Sequence, residues 1–282
     1  MKVGVAAWAT DRGVGVADLA RGVEEAGFES LFLTGHTHVP VSRRDLMDGT
    51  RPGEDARLLD QFTALGVAAA CTTRLKLGTG ICVVPQYDPI VLAKQVATID
   101  HLSGGRFVFG VGAGWLVEEL RNHGVDPSRR WDLMGEQILA MKAIWRDEEA
   151  EFHGELVDFD PIWSWPKPVQ KPHPPVLVGG SSTPSLRLAA THGDGWAPVV
   201  ADAAEFARER ARWQTLCDEV GGSAREVTAF VEDLDDALFA ALAEFDVART
   251  VVLAPRDNPA TLRTFLDGTL ALADRGGLPI GR

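Results

Sequence analysis

Cysteine is scarce in this chain, and its three copies, Cys71, Cys82 and Cys217, stand apart with no CxxC pair. That excludes a disulfide framework and leads us to expect a reducing compartment. Long apolar runs are missing too. No window approaches the roughly 20 apolar residues of a membrane-spanning helix. The opening MKVGVAAW is too short and too quickly polar for a secretory signal. A cytoplasmic protein with no membrane partner is the expectation. Positive charge is under-represented, with 28 Lys and Arg against 40 Asp and Glu, a net −12, and no basic run. This argues against nucleic acid as the main partner, but a compact phosphorylated ligand can still be gripped locally by backbone amides. No repeat of solenoid length is present.

What is present is a rhythm. Lys2 to Ala7 alternates as a strand. Asp18 to Ala26 carries Leu19, Val23 and Ala26 at helical spacing and stops at Gly27, and Ser30 to Thr34 begins a second strand. The unit then recurs. A helix over Leu58 to Ala70 precedes a strand over Leu75 to Gly80, and a helix from Pro89 to about His101 precedes Arg106 to Val111. Trp131 to Arg146 is the next helix, and Val176 to Val178 the fifth strand. A helix with Thr183 as N-cap and Pro184 at its first position leads to a strand over Gly193 to Ala197. Helices at Ala203 to Val220 and Leu234 to Phe245 alternate with strands at Val227 to Val231 and Arg249 to Ala254. A last helix opens at Asn258-Pro259 and closes before Gly276-Gly277. Eight strands, each followed by a helix, predict an α/β fold, a (β/α)8 TIM barrel forming a single domain over residues 1–282. An open doubly wound sheet would need fewer strands and a glycine fingerprint where Ala6-Ala7-Trp8-Ala9-Thr10 stands.

Two stretches break the rhythm. Gly35 to Arg57 is a long polar loop holding His36, His38, Arg43 and Arg44. Glu149 to Pro175 is a Pro- and Trp-rich insertion before strand five, predicted to pack on the barrel as an extended flap.

In such barrels the chemistry collects at the C-terminal ends of the strands. There the chain places His36, Thr79-Gly80-Ile81, Gly110 to Trp115, Gly179-Gly180-Ser181-Ser182 and Gly195-Trp196. The stretch PVLVGGSSTPSLRLAATHGDGW is the most informative. A strand, a turn poor in side chains and a helix start aim backbone N–H groups and the positive end of a helix dipole at one spot, a phosphate grip for a flavin-type cofactor. An ordinary strand-to-helix turn has the same composition. Gly110 to Gly114 is spaced GxGxG, not GxGxxG, so it is no dinucleotide motif; its small residues are expected to let something flat or bulky approach the backbone. His36 suits a proton donor, a hydrogen-bond partner of a ring or a metal ligand. With His38 it reads HxH. The metal reading wants ligands at later strand ends, and Gly179-Gly180, Trp196-Ala197-Pro198 and Ala254-Pro255 offer none, so no metal is expected. His101, His123, His153, His173 and His192 are scattered and read as structural or solvated.

The blocks SLFLTGHTHVPVSR, LGTGICVVPQYDPIVLAKQVATIDHLSGGRFVFGVGAGW and PPVLVGGSSTPSLRLAATHGDGW, with the insertion EAEFHGELVDFDPIWSWPKPVQKPHPPVLVGG, resemble the luciferase-like monooxygenase superfamily. They resemble more closely its actinobacterial branch that uses the deazaflavin coenzyme F420. The similarity covers about Met1 to Pro198. It implies a non-prolyl cis peptide at Gly80-Ile81 behind the coenzyme ring, a phosphate loop at Gly179, Gly180, Ser181 and Ser182, and a ring-side turn at Gly112, Gly114 and Trp115. Gly195 and Trp196 complete the expected coenzyme-binding set, and His36 is the expected catalytic residue. Two positions depart from relatives. Gly35 stands where an acid commonly precedes the histidine. Trp115 stands where the sugar-phosphate dehydrogenases carry a catalytic acid, which argues against that activity and for an apolar pocket. The resemblance implies an oxidoreductase moving hydride to or from a small organic substrate with F420. Flavin mononucleotide (FMN) with oxygen insertion is the alternative, and a non-catalytic coenzyme carrier or sensor is an alternative of another class, motivated by the two missing acids. Superfamily members often pair, so a homodimer is compatible with the resemblance.

Overall fold

A computed structural model of the chain describes residues 1–46, 54–221, 226–232, 234–255 and 259–276. In chain order the elements are β1 (Lys2–Ala7), α1 (Val16–Glu25), β2 (Ser30–Leu33), α2 (Gln61–Cys71), β3 (Lys76–Thr79), β4 (Cys82–Val83), α3 (Pro89–Ser103), β5 (Phe107–Gly112), α4 (Val117–Asn122) and α5 (Arg130–Arg146). Then follow β6 (Ala150–His153), β7 (Asp158–Ile162), β8 (Val176–Gly179), α6 (Thr183–Thr191), β9 (Gly195–Ala197), α7 (Ala203–Glu219), β10 (Glu226–Val231), α8 (Asp236–Glu244), β11 (Arg249–Leu253) and α9 (Pro259–Arg275).

The parallel strands close on themselves. β1 pairs with both β2 and β11, and β3 pairs with β2 and, through Leu77 to Phe107 and Gly78 to Val108, with β5; β8, β9 and β10 complete the ring. This is the eight-stranded (β/α)8 barrel that the rhythm predicts. β4 carries the line of β3 onward, past a cis peptide at Gly80-Ile81, to pair Cys82 with Val111.

The two-residue period of the strands sorts the core into two layers. Val3, Val5 and Ala7 of β1, and Leu31 and Leu33 of β2, pack outward against the helices. Ala6, Phe32, Val108, Leu177, Ala197 and Val251 fill the barrel itself. Phe32 is the largest of that inner set. Its ring lies where a Cβ on Gly78 would come within 2.3 Å, so the neighbouring strand must have glycine there. At the N-terminal end of the barrel, Arg249 is 2% exposed and hydrogen-bonds Glu29, Glu226 and Thr228.

Local chemistry sets the helix starts, with some corrections to the sequence reading. Asp60 accepts from the Thr63 amide at 2.7 Å, so α2 begins at Gln61 and not Leu58. Asp88 caps α3, and Gly104 ends it at φ 66°. The cap of α6 is Ser182, which accepts from Ser185; Thr183 is the first helical residue and Pro184 the second. The short helix α4 is absent from the sequence reading, because six residues show too little periodicity. The expected Asn258 cap and Gly277 stop lie outside the described residues. Within the insertion, β6 and β7 form an antiparallel hairpin. The chain beyond it is tied to the outer helices. Gln170 bonds Asp100 and the Phe107 carbonyl, and Lys167 donates to the Ile144 and Asp147 carbonyls. It is the packing flap the composition suggested.

Candidate active site

At the C-terminal mouth of the barrel lies a cavity of about 550 Å3, within the usual range for small-molecule sites. Strand ends from all around the barrel converge on it, Ala6 of β1, Ala197 of β9 and Leu253 of β11 included. They bring His36 from beyond β2, Gly80 and Ile81 from beyond β3, Gly112, Gly114 and Trp115 from β5, Gly179 and Gly180 from β8, and Phe230 from β10. The remainder of the lining is mostly apolar, with Trp8, Trp131, Val199 and Leu253 among it, and Glu232 at one edge.

The glycines have a reason the sequence reading missed. A Cβ on Gly112 would lie 3.0 Å from the Ile81 side chain, and one on Gly179 would lie 3.3 Å from it. One on Gly110 would meet the Thr79 carbonyl at 2.1 Å and Ile81 at 3.2 Å. What approaches these backbones is therefore the chain's own Ile81, which is seated against β5 and β8 as part of the cavity wall. Gly180 is different. Its φ of 95° suits glycine, and its exposed backbone leads to the N-terminus of α6.

Other expected residues sit off the cavity wall. Ser181, next to Gly180 in the chain, is half-buried, and Ser182 spends its hydroxyl on the α6 cap. Gly195 lies lower in the barrel, where a Cβ would strike the Glu226 carbonyl at 2.6 Å. Trp196 is fully buried behind the sheet against Phe206 and Trp213, and its indole donates to the Gly180 carbonyl at 2.8 Å. It supports the turn from behind.

Around His36 the structure resolves one of the two departures. A Cβ on Gly35 would fall 3.0 Å from the Gln61 amide group, and Gln61 donates to the Leu33 carbonyl at 2.6 Å. A neutral amide thus fills the space beside the histidine. The acid comes from α4: Glu119 Oε2 lies 2.8 Å from His36 Nδ1, and the two side chains are 2% and 15% exposed. Glu119 Oε1 accepts from the Thr37 amide at 2.9 Å and the Thr37 hydroxyl at 3.2 Å. Burial pushes the Glu119 carboxyl toward its neutral form, but the hydrogen bond and charge of His36 and the Thr37 amide outweigh it and hold the pKa below the ordinary value. Trp115 stands edge-on to His36, ring centres 5.7 Å apart, and remains 61% exposed at the mouth.

His38 takes no part in the cavity. It meets Thr37 Oγ1 at 2.9 Å and Asn122 at 2.9 Å, while His123, expected to be a scattered residue, joins the same hydroxyl at 2.7 Å. Burial and the neighbouring His38 lower the His123 pKa. Among the described residues no group of three His, Cys, Asp or Glu side chains is placed to hold a metal. Burial pushes the Cys82 thiol up, away from nucleophilic character. The residues that sequence reasoning missed are Glu119, Gln61, Thr37, Trp8 and Trp131. The available signal for Glu119 was the acid pair in LVEELRN just after Trp115, close to a histidine that lacked its usual acid.

The fold is a (β/α)8 barrel with a cavity at the C-terminal mouth, where barrels of this kind carry their chemistry. The chain belongs to the luciferase-like monooxygenase family, which it matches over residues 9–255. It is 44% identical over 202 residues to an uncharacterized protein of Mycobacterium tuberculosis, covering 70% of this chain and 71% of that one. It is 37% identical over 128 residues to an FMNH(2)-dependent dimethylsulfone monooxygenase of Pseudomonas putida, covering 44% of this chain and 35% of that one. The coenzyme F420 dependent tetrahydromethanopterin reductase of Methanopyrus kandleri shares the fold, with a TM-score of 0.75 at 16% identity over 96% of each chain. Among the described residues no helix is long and apolar enough to cross a membrane.

Proposed function

We propose that the chain is an oxidoreductase that binds a flavin-type coenzyme, F420 by first choice, in the barrel mouth and acts on a small organic substrate. The observation that carries this reading is the meeting of three features on one cavity: the Ile81 wall, the Gly179-Gly180 turn into α6, and the acid-backed imidazole of His36. The wall fits a planar group, since the Ile81 side chain packs over the glycine-rich ends of β5 and β8 as an apolar surface. The turn fits a phosphate, since Gly180 adds no side chain and stands at the N-terminus of α6, whose dipole favours negative charge.

Bound F420 supplies hydride chemistry. The chain's own part is to bind, orient and keep water out. Gly179 and Gly180, with the Ser181 amide, hold the phosphate end. Ile81, Phe230 and Val199 form apolar walls around the reacting region. His36 holds or delivers a proton at the substrate atom facing the cavity, with Nδ1 anchored to Glu119. Trp8, Trp115 and Trp131 suit an apolar or aromatic substrate better than a sugar phosphate.

FMN is the second reading, favoured by the FMNH(2)-dependent relative. Titrating the apoprotein with F420 and with FMN while following coenzyme fluorescence tests both. Saturable binding of F420, with FMN weaker by tenfold or more, is expected. Tight binding of FMN alone overturns the choice of coenzyme, and binding of neither overturns the reading itself.

A further inference from the structure

We propose that Glu119 is a positioning residue that fixes His36 in the Nδ1–H tautomer, so that the neutral enzyme offers Nε2 as a hydrogen-bond acceptor to whatever occupies the cavity. The proposal rests on the reading of His36 as a cavity residue that meets the substrate. It goes beyond that reading by naming which nitrogen faces the ligand and which side chain decides it.

The geometry separates two tasks in one carboxylate. Oε1 collects the Thr37 amide and hydroxyl and pins the loop after β2 to α4. That task alone needs only a carbonyl oxygen, which a glutamine supplies without burying a charge. Oε2 serves His36 Nδ1 at 2.8 Å, and a buried charge is costly to keep unless a partner uses it. An ionised carboxylate accepts hydrogen bonds and donates none. The proton of that contact therefore sits on Nδ1, and the neutral ring carries its lone pair on Nε2. Among the described residues Nε2 has no protein partner, and His36 lines the cavity. The nearest alternative source of control, the position before the histidine, is Gly35, and the space beside it holds the Gln61 amide, which is already bonded to Leu33. The selection of tautomer thus falls to a residue 83 positions away. The group recognised by the neutral enzyme at this point is consequently a hydroxyl or N–H, a donor; a carbonyl or other pure acceptor is recognised only when His36 is protonated.

The test reads the tautomer directly and needs neither coenzyme nor substrate. The chain has seven histidines, few enough to resolve by nitrogen NMR of full-length protein labelled with 15N-histidine, His36 being assigned by its loss in His36→Ala. In the wild type at a pH where His36 is neutral, Nδ1 is expected to carry the proton and Nε2 to be bare. In Glu119→Gln the amide can donate to Nδ1 while its oxygen keeps the Thr37 contacts, so the two nitrogen signals are expected to exchange roles. A wild-type spectrum showing protonated Nε2, or a mixture of tautomers, overturns the proposal even if the variant fails to fold. So does a folded Glu119→Gln protein whose His36 keeps the Nδ1–H form. A merely structural glutamate would change stability without moving the tautomer. Coenzyme titration of the same samples is independent of this result, so failure of the coenzyme reading leaves the tautomer result standing, and the reverse.

Discussion

Replacing Arg249 by methionine removes the cation that the base of the barrel is built around. Arg249 is 2% exposed and contacts Glu29 twice, at 2.7 and 2.9 Å, and Glu226 at 2.9 Å. Burial pushes the Glu29 carboxyl up, yet the Arg249 hydrogen bonds and charge, with help from Lys76, bring it down from 4.5 to about 2. At about 1.36 kcal/mol per unit, that drop corresponds to about 3 kcal/mol of stability at neutral pH. Lys2 and Lys76 approach Glu29 at 3.8 and 3.5 Å and persist in the variant, so the expected loss in Arg249→Met is about 2–3 kcal/mol. The sign follows from a depressed acid. The contribution is fully present above about pH 4.5 and fades as pH falls toward 2. Urea unfolding of wild type and variant at pH 7 and pH 3 checks it. The stability gap should shrink by about half or more at the lower pH. An equal gap at both values, or one below about 0.5 kcal/mol at pH 7, refutes the assignment of this stabilisation to the Glu29–Arg249 pair.

At the other end of the barrel, Gly180→Asp should weaken coenzyme binding by tenfold or more, about 1.4 kcal/mol, because it sets a negative charge against the phosphate. Gly180→Asn bears the same backbone strain without the charge, so equal affinities for the two variants in titration would remove the phosphate from this turn. His36→Ala should slow the chemical step in single-turnover oxidation of reduced coenzyme by a panel of enones, imines and quinones, while coenzyme affinity stays within about tenfold. An unchanged rate would mean that the imidazole moves no proton.

Much of the scaffold was legible because its signals are local. Alternation in Lys2 to Ala7, helical spacing in Asp18 to Ala26 and a proline at the start of α3 each act over a few residues, so strand and helix order emerge with boundaries off by a few positions, α1 running over Val16–Glu25. Capping showed the limit. Ser182 and Thr183 are chemically near-equivalent caps, and the backbone extension of Ser182 decides between them. The strand ends were legible as a set of candidates, and eight of the twelve expected positions do line the cavity: His36, Gly80, Ile81, Gly112, Gly114, Trp115, Gly179 and Gly180. Trp196 was misplaced because a β-strand has two faces; it turns toward α7 and reaches the site only through the Gly180 carbonyl.

By itself the sequence determined the barrel, its acidic character and the stretches from which a site would be assembled, since periodicity and turn chemistry are properties of neighbouring residues. Only the closed ring of strands decided which distant groups meet. It sets β2 and β5 on either side of β3, so the loop after one faces the helix after the other, and His36 finds its acid in Glu119 instead of at position 35. The same closure gave the glycines of β5 and β8 their purpose, because the side chain they make room for, Ile81, arrives from another strand. Contacts across so many residues depend on how parallel strands register around a barrel, and no local pattern encodes that.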